Sequence, residues 1–231
     1  MLKKRLVVFT GAGISAESGI KTFRDSGGLW EEYRIEDVAT FDAWMRNQEL
    51  VLDFYNQRRK QVMDARPNAA HHFIADLQKD FEVQVVTQNV DDLHERAGSK
   101  NVLHLHGEIM KVRSSVDDKL VYPIKTWELN AGDVCEKGSQ LRPHIVWFGE
   151  MVPEMDNANR LASMADLFVV VGTSLNVYPA AGILDYVPKS VPKWLVDPGI
   201  FNFDYIIELK HIKQTAVNGV DELRRELMSR L

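Results

Sequence analysis

The chain has 231 residues, enough for one large domain or one domain with a smaller insertion, and its 45% hydrophobic and 26% charged content is ordinary for a globular protein. A net charge of −5 provides no basic footprint for nucleic acid and no polybasic membrane patch, and no stretch approaches the ~18 to 20 apolar residues of a membrane span. The single cysteine, Cys135, excludes an intrachain disulfide framework and a four-thiolate zinc site within the chain, and it fits a reducing compartment, so a cytoplasmic protein is expected.

The opening MLKKRLVVFTGAG places a basic cluster before an apolar run, but Leu6 to Phe9 is far too short for the core of a signal peptide. LVVFT, Leu6 to Thr10, instead predicts a short buried strand that runs into GAGIS. Gly11-Ala12-Gly13-Ile14-Ser15-Ala16 satisfies G-x-G-x-x-G/A directly after that strand. Glycines in this context permit a tight turn and let the backbone approach a pyrophosphate held at a helix N-terminus. An ordinary dinucleotide domain would next show a second strand ending in an acidic residue about 20 positions on. The continuation, ESGIKTFRDSGGLWEEY, is polar and glycine-broken, which disfavours a hydride-transferring dehydrogenase. It offers Thr22, Phe23 and Arg24 on a loop beside the phosphates, where an arginine neutralises charge and a phenylalanine shields a reactive carbon from water.

Asp42 to Asp64 reads as one long helix closed by Arg66-Pro67, and Asn68 caps a second helix, AAHHFIADLQKD. Within the first, at ~100° per residue, Val51, Phe54, Tyr55 and Val62 share a face, with Arg58 inside it and Arg59 on its border. VQVVT (Val83 to Thr87), FVVVG (Phe168 to Gly172) and WLVD (Trp194 to Asp197) repeat the buried-strand signature. Ligands collect at the carboxyl ends of such strands, so the candidate site segments are GAGIS, QNVDD and GTSLN. Between Val112 and Leu141 the pattern breaks into short strands and turns. The tail GVDELRRELMSRL predicts an amphipathic helix.

The expected fold is α/β: a Rossmann-like parallel sheet with helices on both faces, formed by residues 1–111 and 142–231, plus a small inserted module at 112–141 joined by parts of the 20–70 helical segment.

GAGISAESGIKTFR, TQNVDDLHERAG, LHLHGE, LRPHIVWFGE and VVGTSLNVYPAAG, in that order, resemble the sirtuins, NAD-dependent protein-lysine deacylases. The resemblance implies that an acylated lysine of a protein and NAD react to give free lysine, nicotinamide and O-acyl-ADP-ribose. Its implied NAD contacts are Gly11, Ala12, Gly13, Ser15, Ala16, Glu17, Thr22, Phe23, Arg24 and Trp30 around the glycine loop. Further along they are Gln88, Asn89, Asp91, His106, Gly172, Thr173, Ser174, Asp197 and Ala216. His106 matches the general base and Asn89 a second catalytic position. Imidazole suits the first role because it titrates nearest neutral pH. His104 lies on the same strand face, and adjacency to Gly107 selects His106. His71, His72, His94, His144 and His211 receive a surface or structural reading.

Val146, Phe148, Gly149 and Glu150 resemble the edge that accepts substrate peptide as an added strand. Tyr55 and Arg58 resemble the pair of the subgroup that accepts succinyl and malonyl chains, since a guanidinium binds a terminal carboxylate bidentately and a phenol adds a hydrogen bond. Spacing alone leaves Arg59 as a competitor.

The sequence departs from the family in two places. Most sirtuins carry two C-x-x-C pairs in the module, but Ser114 stands where the first cysteine is expected, so no zinc is expected and Val121, Tyr122, Ile124, Trp127 and Leu129 supply a modest core. Leu195 stands where an asparagine meets the adenosine ribose. Mono-ADP-ribosyl transfer and a non-catalytic NAD or acyl-lysine binding module remain as alternatives. Sequence does not indicate the oligomeric state.

Overall fold

The structure is a computed structural model that describes residues 3–22, 32–173, 175, 178–199 and 206–231. Its centre is a six-stranded parallel sheet in the order β3-β2-β1-β7-β8-β9. The strands are β1 (Arg5–Thr10), β2 (Glu82–Thr87), β3 (Val102–His104), β7 (Leu167–Val171), β8 (Lys193–Val196) and β9 (Leu209–Ile212). The four predicted sheet strands are all present. They are readable because a parallel strand covered on both faces is apolar at successive positions.

Alternate residues feed two cores. Leu6, Val8, Val83, Val85, Leu167, Val169 and Val171 pack beneath helices α5 (Ala69–Asp76) and α7 (Val220–Met228). Val7, Phe9, Val86, Phe168, Val170 and Leu195 pack against α6 (Met155–Ser163) and the 3-10 helix Ala180–Tyr186 on the opposite face. Each such fully buried aliphatic side chain contributes about 1.5 to 3 kcal/mol. Leu195, with no exposed surface, belongs wholly to this second core.

A second lobe carries its own core. Here β4 (Gly107–Ser114) pairs antiparallel with β5 (Val121–Pro123) and β6 (Leu141–Ile145), so this sheet runs beyond 112–141 at both ends. Helices α2 (Ile35–Val38), α3 (Phe41–Arg46) and α4 (Gln48–Asp64) close over it, burying Trp44, Phe54, Tyr55, Ile109 and Trp147 together. Of the apolar residues expected to fill the insertion, Leu129 is buried, Tyr122 and Ile124 pack partly against the lobe's core, and Trp127 remains 36% exposed beneath Lys60.

The predicted single helix over Asp42–Asp64 is two helices. Asn47 breaks it in a non-helical conformation (φ −152°, ψ 82°), and its side chain accepts from Leu50 N at 3.1 Å to start α4 afresh. Asn68 caps α5 as expected, and the cap is reciprocal: His71 Nδ1 accepts from the Asn68 amide. That helix stops at Asp76, and Leu77–Lys79 tighten into a 3-10 turn.

At the tip of the small lobe, Cys135 is buried and its thiol donates to Ser114 Oγ at 3.3 Å. Lys137 and Asp117 close the same two turns with an ion pair at 2.7 Å. No group of three or more His, Cys, Asp or Glu residues able to hold a metal ion occurs among the described residues. No helix among them is long and apolar enough to cross a membrane.

Candidate active site

The chain reverses its direction of travel across the sheet between β1 and β7, and the loops after these two strands meet there. Gly13 N donates to Gly172 O at 2.8 Å and Gly11 N to Val171 O at 3.1 Å. A Cβ on Gly11 would lie 2.6 Å from Thr173 Cβ, and one on Gly13 2.8 Å from Gly172 Cα. Gly172 adopts φ +63° and abuts the Gly13–Ile14 backbone. Three glycines thus let two loops interlock.

This revises the expectation drawn from G-x-G-x-x-A. The helix it opens, α1 (Gly13–Ala16), is a single turn of four residues. The amides of Gly11, Gly13, Ile14 and Ser15 donate within the interlock, so a long-helix dipole is not what the loop offers a phosphate. The missing second strand is also explained: β1 does pair with the next strand of the sheet, but that strand begins only at Glu82, after α1 to α5 and the rest of that long crossover.

Beside the interlock, buried polar groups converge from the carboxyl ends of β1 and β2. Ser15 Oγ donates to Asp91 Oδ2 at 3.0 Å and accepts from Asn89 Nδ2 at 3.2 Å. Burial pushes the Asp91 carboxyl up, against the opposing Leu93 amide and Ser15 hydroxyl. Gln88 Nε2 reaches across to Thr173 Oγ1 at 3.0 Å, tying the β2 and β7 ends together.

The two histidines of HLHG are distinguished by their partners. His104 bonds at both ring nitrogens, Nδ1 to Asn89 O at 2.9 Å and Nε2 to Glu95 at 2.8 Å. Burial opposes its protonation, but Glu95 outweighs burial and its pKa rises. His106 bonds only through Nδ1, to Gln88 O at 3.0 Å, and burial lowers its pKa. A carbonyl must receive a proton, so Nδ1 is the protonated nitrogen and Nε2 is a neutral lone pair without a partner among the described residues.

His71 and His94 are fully buried, with rings 5.0 Å apart, behind Ser15 and Thr10. Neither ring reaches the surface, and His71 is held in the reciprocal cap with Asn68 three residues before it.

The remaining predicted contacts divide. Glu17 is occupied: its carboxylate accepts from Thr215 Oγ1 at 3.1 Å and Val217 N at 3.0 Å, bracketing Ala216, which is itself buried in the core. Asp197 caps the turn at Gly199 N, 2.8 Å away. Ala12 is half-buried and Ala16 exposed on α1, and Thr22 is half-buried beyond it. Phe23, Arg24, Trp30 and Ser174 lie outside the described residues.

In the VWFGE segment, Val146 N donates to His106 O and Phe148 N to Ala39 O, both at 3.0 Å, while Trp147 N donates to Glu150 Oε2 at 2.8 Å. An added strand would therefore have to be held through other groups of the segment. Glu150 itself pairs with Arg142 at 2.8 Å and Arg113 at 3.4 Å.

On α4, Arg59 is fully buried and donates to Ile109 O and Trp127 O, each at 2.7 Å, and to Asn56 Oδ1 at 2.9 Å. Arg58 lies beside Tyr55. Burial opposes its charge, and the neighbouring Tyr55 and Asp91 favour it. The arginine that sequence spacing left as a competitor is thus a clamp on the small lobe. Arg58 is the one whose charge feels both Tyr55 and Asp91.

A profile described as the Sir2 family matches residues 11–179. The chain belongs to the Sir2 family. A Bacteroides thetaiotaomicron protein named NAD-dependent protein deacylase is 51% identical over 230 residues, covering 97% of this chain and 98% of its own. A Helicobacter pylori protein of the same name is 49% identical over 227 residues, covering 97% and 98%. A crystal structure of a Sir2 homologue in complex with NAD superposes with TM-score 0.88 at 39% identity, covering 99% of this chain and 91% of that one.

The Sir2 fold, a six-stranded parallel sheet between helices, is the α/β architecture expected from the sequence. The convergent buried carboxylate, carboxamides and hydroxyls at the β1/β7 crossing fit a polar dinucleotide such as NAD.

Proposed function

We propose that the protein is an NAD-dependent protein-lysine deacylase whose acyl pocket favours chains ending in a carboxylate, succinyl and malonyl above acetyl. The observation that carries the acyl preference is a buried guanidinium and a buried phenol, Arg58 and Tyr55, three residues apart on one face of α4. A buried cation recognises a carboxylate through charge-assisted hydrogen bonds, each contributing about 1.5 to 3 kcal/mol. An acetyl group offers no such partner.

Bound NAD would supply an electrophilic ribose carbon and nicotinamide as leaving group. The residues of the chain then have separate tasks. Neutral His106 Nε2 accepts a proton from a ribose hydroxyl, while Nδ1–H on Gln88 O keeps the ring in that tautomer. Asn89, Asp91 and Ser15 form a mutually bonded polar wall for the nicotinamide end. Gln88, bonded to Thr173 across the crossing, would line the ribose and nicotinamide pocket, and Thr173 would meet the phosphate and ribose. The VWFGE segment receives the peptide that carries the acyl-lysine.

The test is incubation with NAD and a panel of acetyl-, succinyl-, malonyl- and long-acyl-lysine peptides, quantifying free lysine and nicotinamide. Succinyl- and malonyl-lysine should be cleared fastest. Arg58→Met should lower the desuccinylation-to-deacetylation ratio roughly tenfold to a hundredfold. Equal loss of both activities would make Arg58 a support of the fold. ADP-ribosylated protein in place of free lysine would indicate transferase activity, and NAD binding without nicotinamide release a binding module.

A further inference from the structure

Trp147 lies within the VWFGE segment, between residues assigned to the peptide, but its side chain turns away into the small lobe. It is 2% exposed. Its indole Nε1 donates to Tyr55 Oη at 3.1 Å. An indole nitrogen can only donate, so the phenol oxygen is the acceptor in this bond. Tyr55 must therefore give its own hydrogen to something else, and no acceptor among the described residues takes it. Its helical neighbour Arg58 has only donors to offer. Burial pushes the Tyr55 phenol up to about 12, which keeps that hydrogen in place at neutral pH.

The indole is not free to swing. The Arg142 guanidinium lies 3.3 Å from its ring centroid, and the same guanidinium binds Glu150, which accepts the Trp147 backbone N–H. Trp44 packs on it at 5.8 Å. A rigid donor fixed in this way fixes the phenol's remaining hydrogen as well. A buried hydroxyl with an unanswered hydrogen, one helical turn from a guanidinium, is complementary to an anionic acceptor such as a carboxylate.

We infer that Trp147 is a specificity-determining positioning residue: by donating to Tyr55 it directs the phenol O–H toward a carboxylate that Arg58 also engages. This rests on the proposed acyl preference and adds the group that sets it. With phenylalanine at position 147, the phenol would be free to turn, and a carboxylate would lose a preset donor. An acetyl chain, which has no use for that donor, would register little.

The experiment compares Trp147→Phe, Tyr55→Phe and the double variant with the native enzyme, using succinyl- and acetyl-lysine versions of one peptide and separating kcat from KM. Trp147→Phe should raise KM for the succinyl peptide about five- to tenfold while its kcat changes little, and the succinyl-to-acetyl ratio of kcat/KM should fall by a similar factor. The double variant should be no worse than Tyr55→Phe alone, because the two side chains act through one bond. Parallel losses with both peptides, an unchanged ratio, or additive losses in the double variant would overturn the inference. If Trp147→Phe does not fold, Trp147→His and Trp147→Leu replace it: a ratio lowered by leucine but kept by the ring N–H of histidine supports the inference, and equal ratios overturn it. Arg58→Met separates the two levels. A ratio insensitive to Arg58→Met removes the acyl preference itself, and a ratio that collapses with Arg58→Met but not with Trp147→Phe removes only the role of Trp147.

Discussion

Two imidazoles two residues apart, His104 and His106, are biased toward opposite protonation states by what their second nitrogen meets. Burial opposes the charge on both, but only His104 has a carboxylate, Glu95 at 2.8 Å, to reverse it. His106 is therefore neutral and basic at physiological pH, and activity should be lost as it protonates. We expect the acidic limb of the kcat/KM profile for the acetyl peptide to lie below the unperturbed value of about 6.5. Initial rates at closely spaced pH values would check this, and a limb above 6.5 would point to another base. The sequence selected His106 only by its neighbour Gly107, and the structure supplies the physical reason. Gly107 turns the chain at φ +83° against His144 O, where any Cβ would collide, so His106 precedes a bend rather than continuing a strand. Partners such as Glu95 and Gln88 O approach from elsewhere in the chain, which is why no local pattern announced them.

At the scale of elements, α4 carries two adjacent arginines with unlike duties. Arg59 joins the helix to β4 and to the loop at Trp127 through two hydrogen bonds, and a third holds Asn56 on the same helix. Arg59→Met should destabilise the protein by about 3 kcal/mol, since buried carbonyls lose their donor, and should depress deacetylation and desuccinylation together. Urea unfolding alongside the two activities would check it, and a selective loss of desuccinylation would contradict this division. The helical period had placed Arg58 inside the buried face and Arg59 at its border, while both prove buried. The discrepancy arises because the second lobe covers the helix more widely than one stripe. The break at Asn47 is not legible in the sequence for a related reason: an asparagine inside a polar stretch reads as a tolerated helix residue, and only its non-helical backbone reveals the cap.

Across the whole molecule, the parallel sheet was legible because each strand is a short apolar run ended by a polar or glycine segment. The second lobe was not, because its core joins helices at 35–64 to strands at 107–145, and nothing in a local pattern records contacts between such distant stretches. Three buried imidazoles weaken the fold as pH falls, while His104, whose pKa Glu95 raises, opposes them. Burial lowers the pKa of His71 to about 4, that of His94 well below the ordinary value, and that of His106 also. Each folded pKa is depressed, so the unfolded chain binds more protons as pH falls. The stability these groups contribute is full above about 6.5 and is lost toward pH 4, by roughly 1.4 kcal/mol per pH unit for each fully shifted imidazole. Urea midpoints measured at pH 7, 6 and 5 should fall progressively, and a flat series would exclude neutral buried histidines.

The adjacency of Arg58 and Arg59 would also tie a ligand held by the first to the hydrogen bonds made by the second. Arg59 is bonded to Asn56, whose amide in turn accepts from Leu129 N and donates to Leu129 O, at 2.9 and 3.1 Å. A carboxylate gripping Arg58 would anchor the helix from its other side, so opening of the Leu129 strap would require releasing the ligand. Amide hydrogen exchange at Leu129 should slow when a succinyl-lysine peptide binds and change far less with the acetyl peptide. Acyl selectivity would then be visible as a clock on a backbone amide outside the pocket.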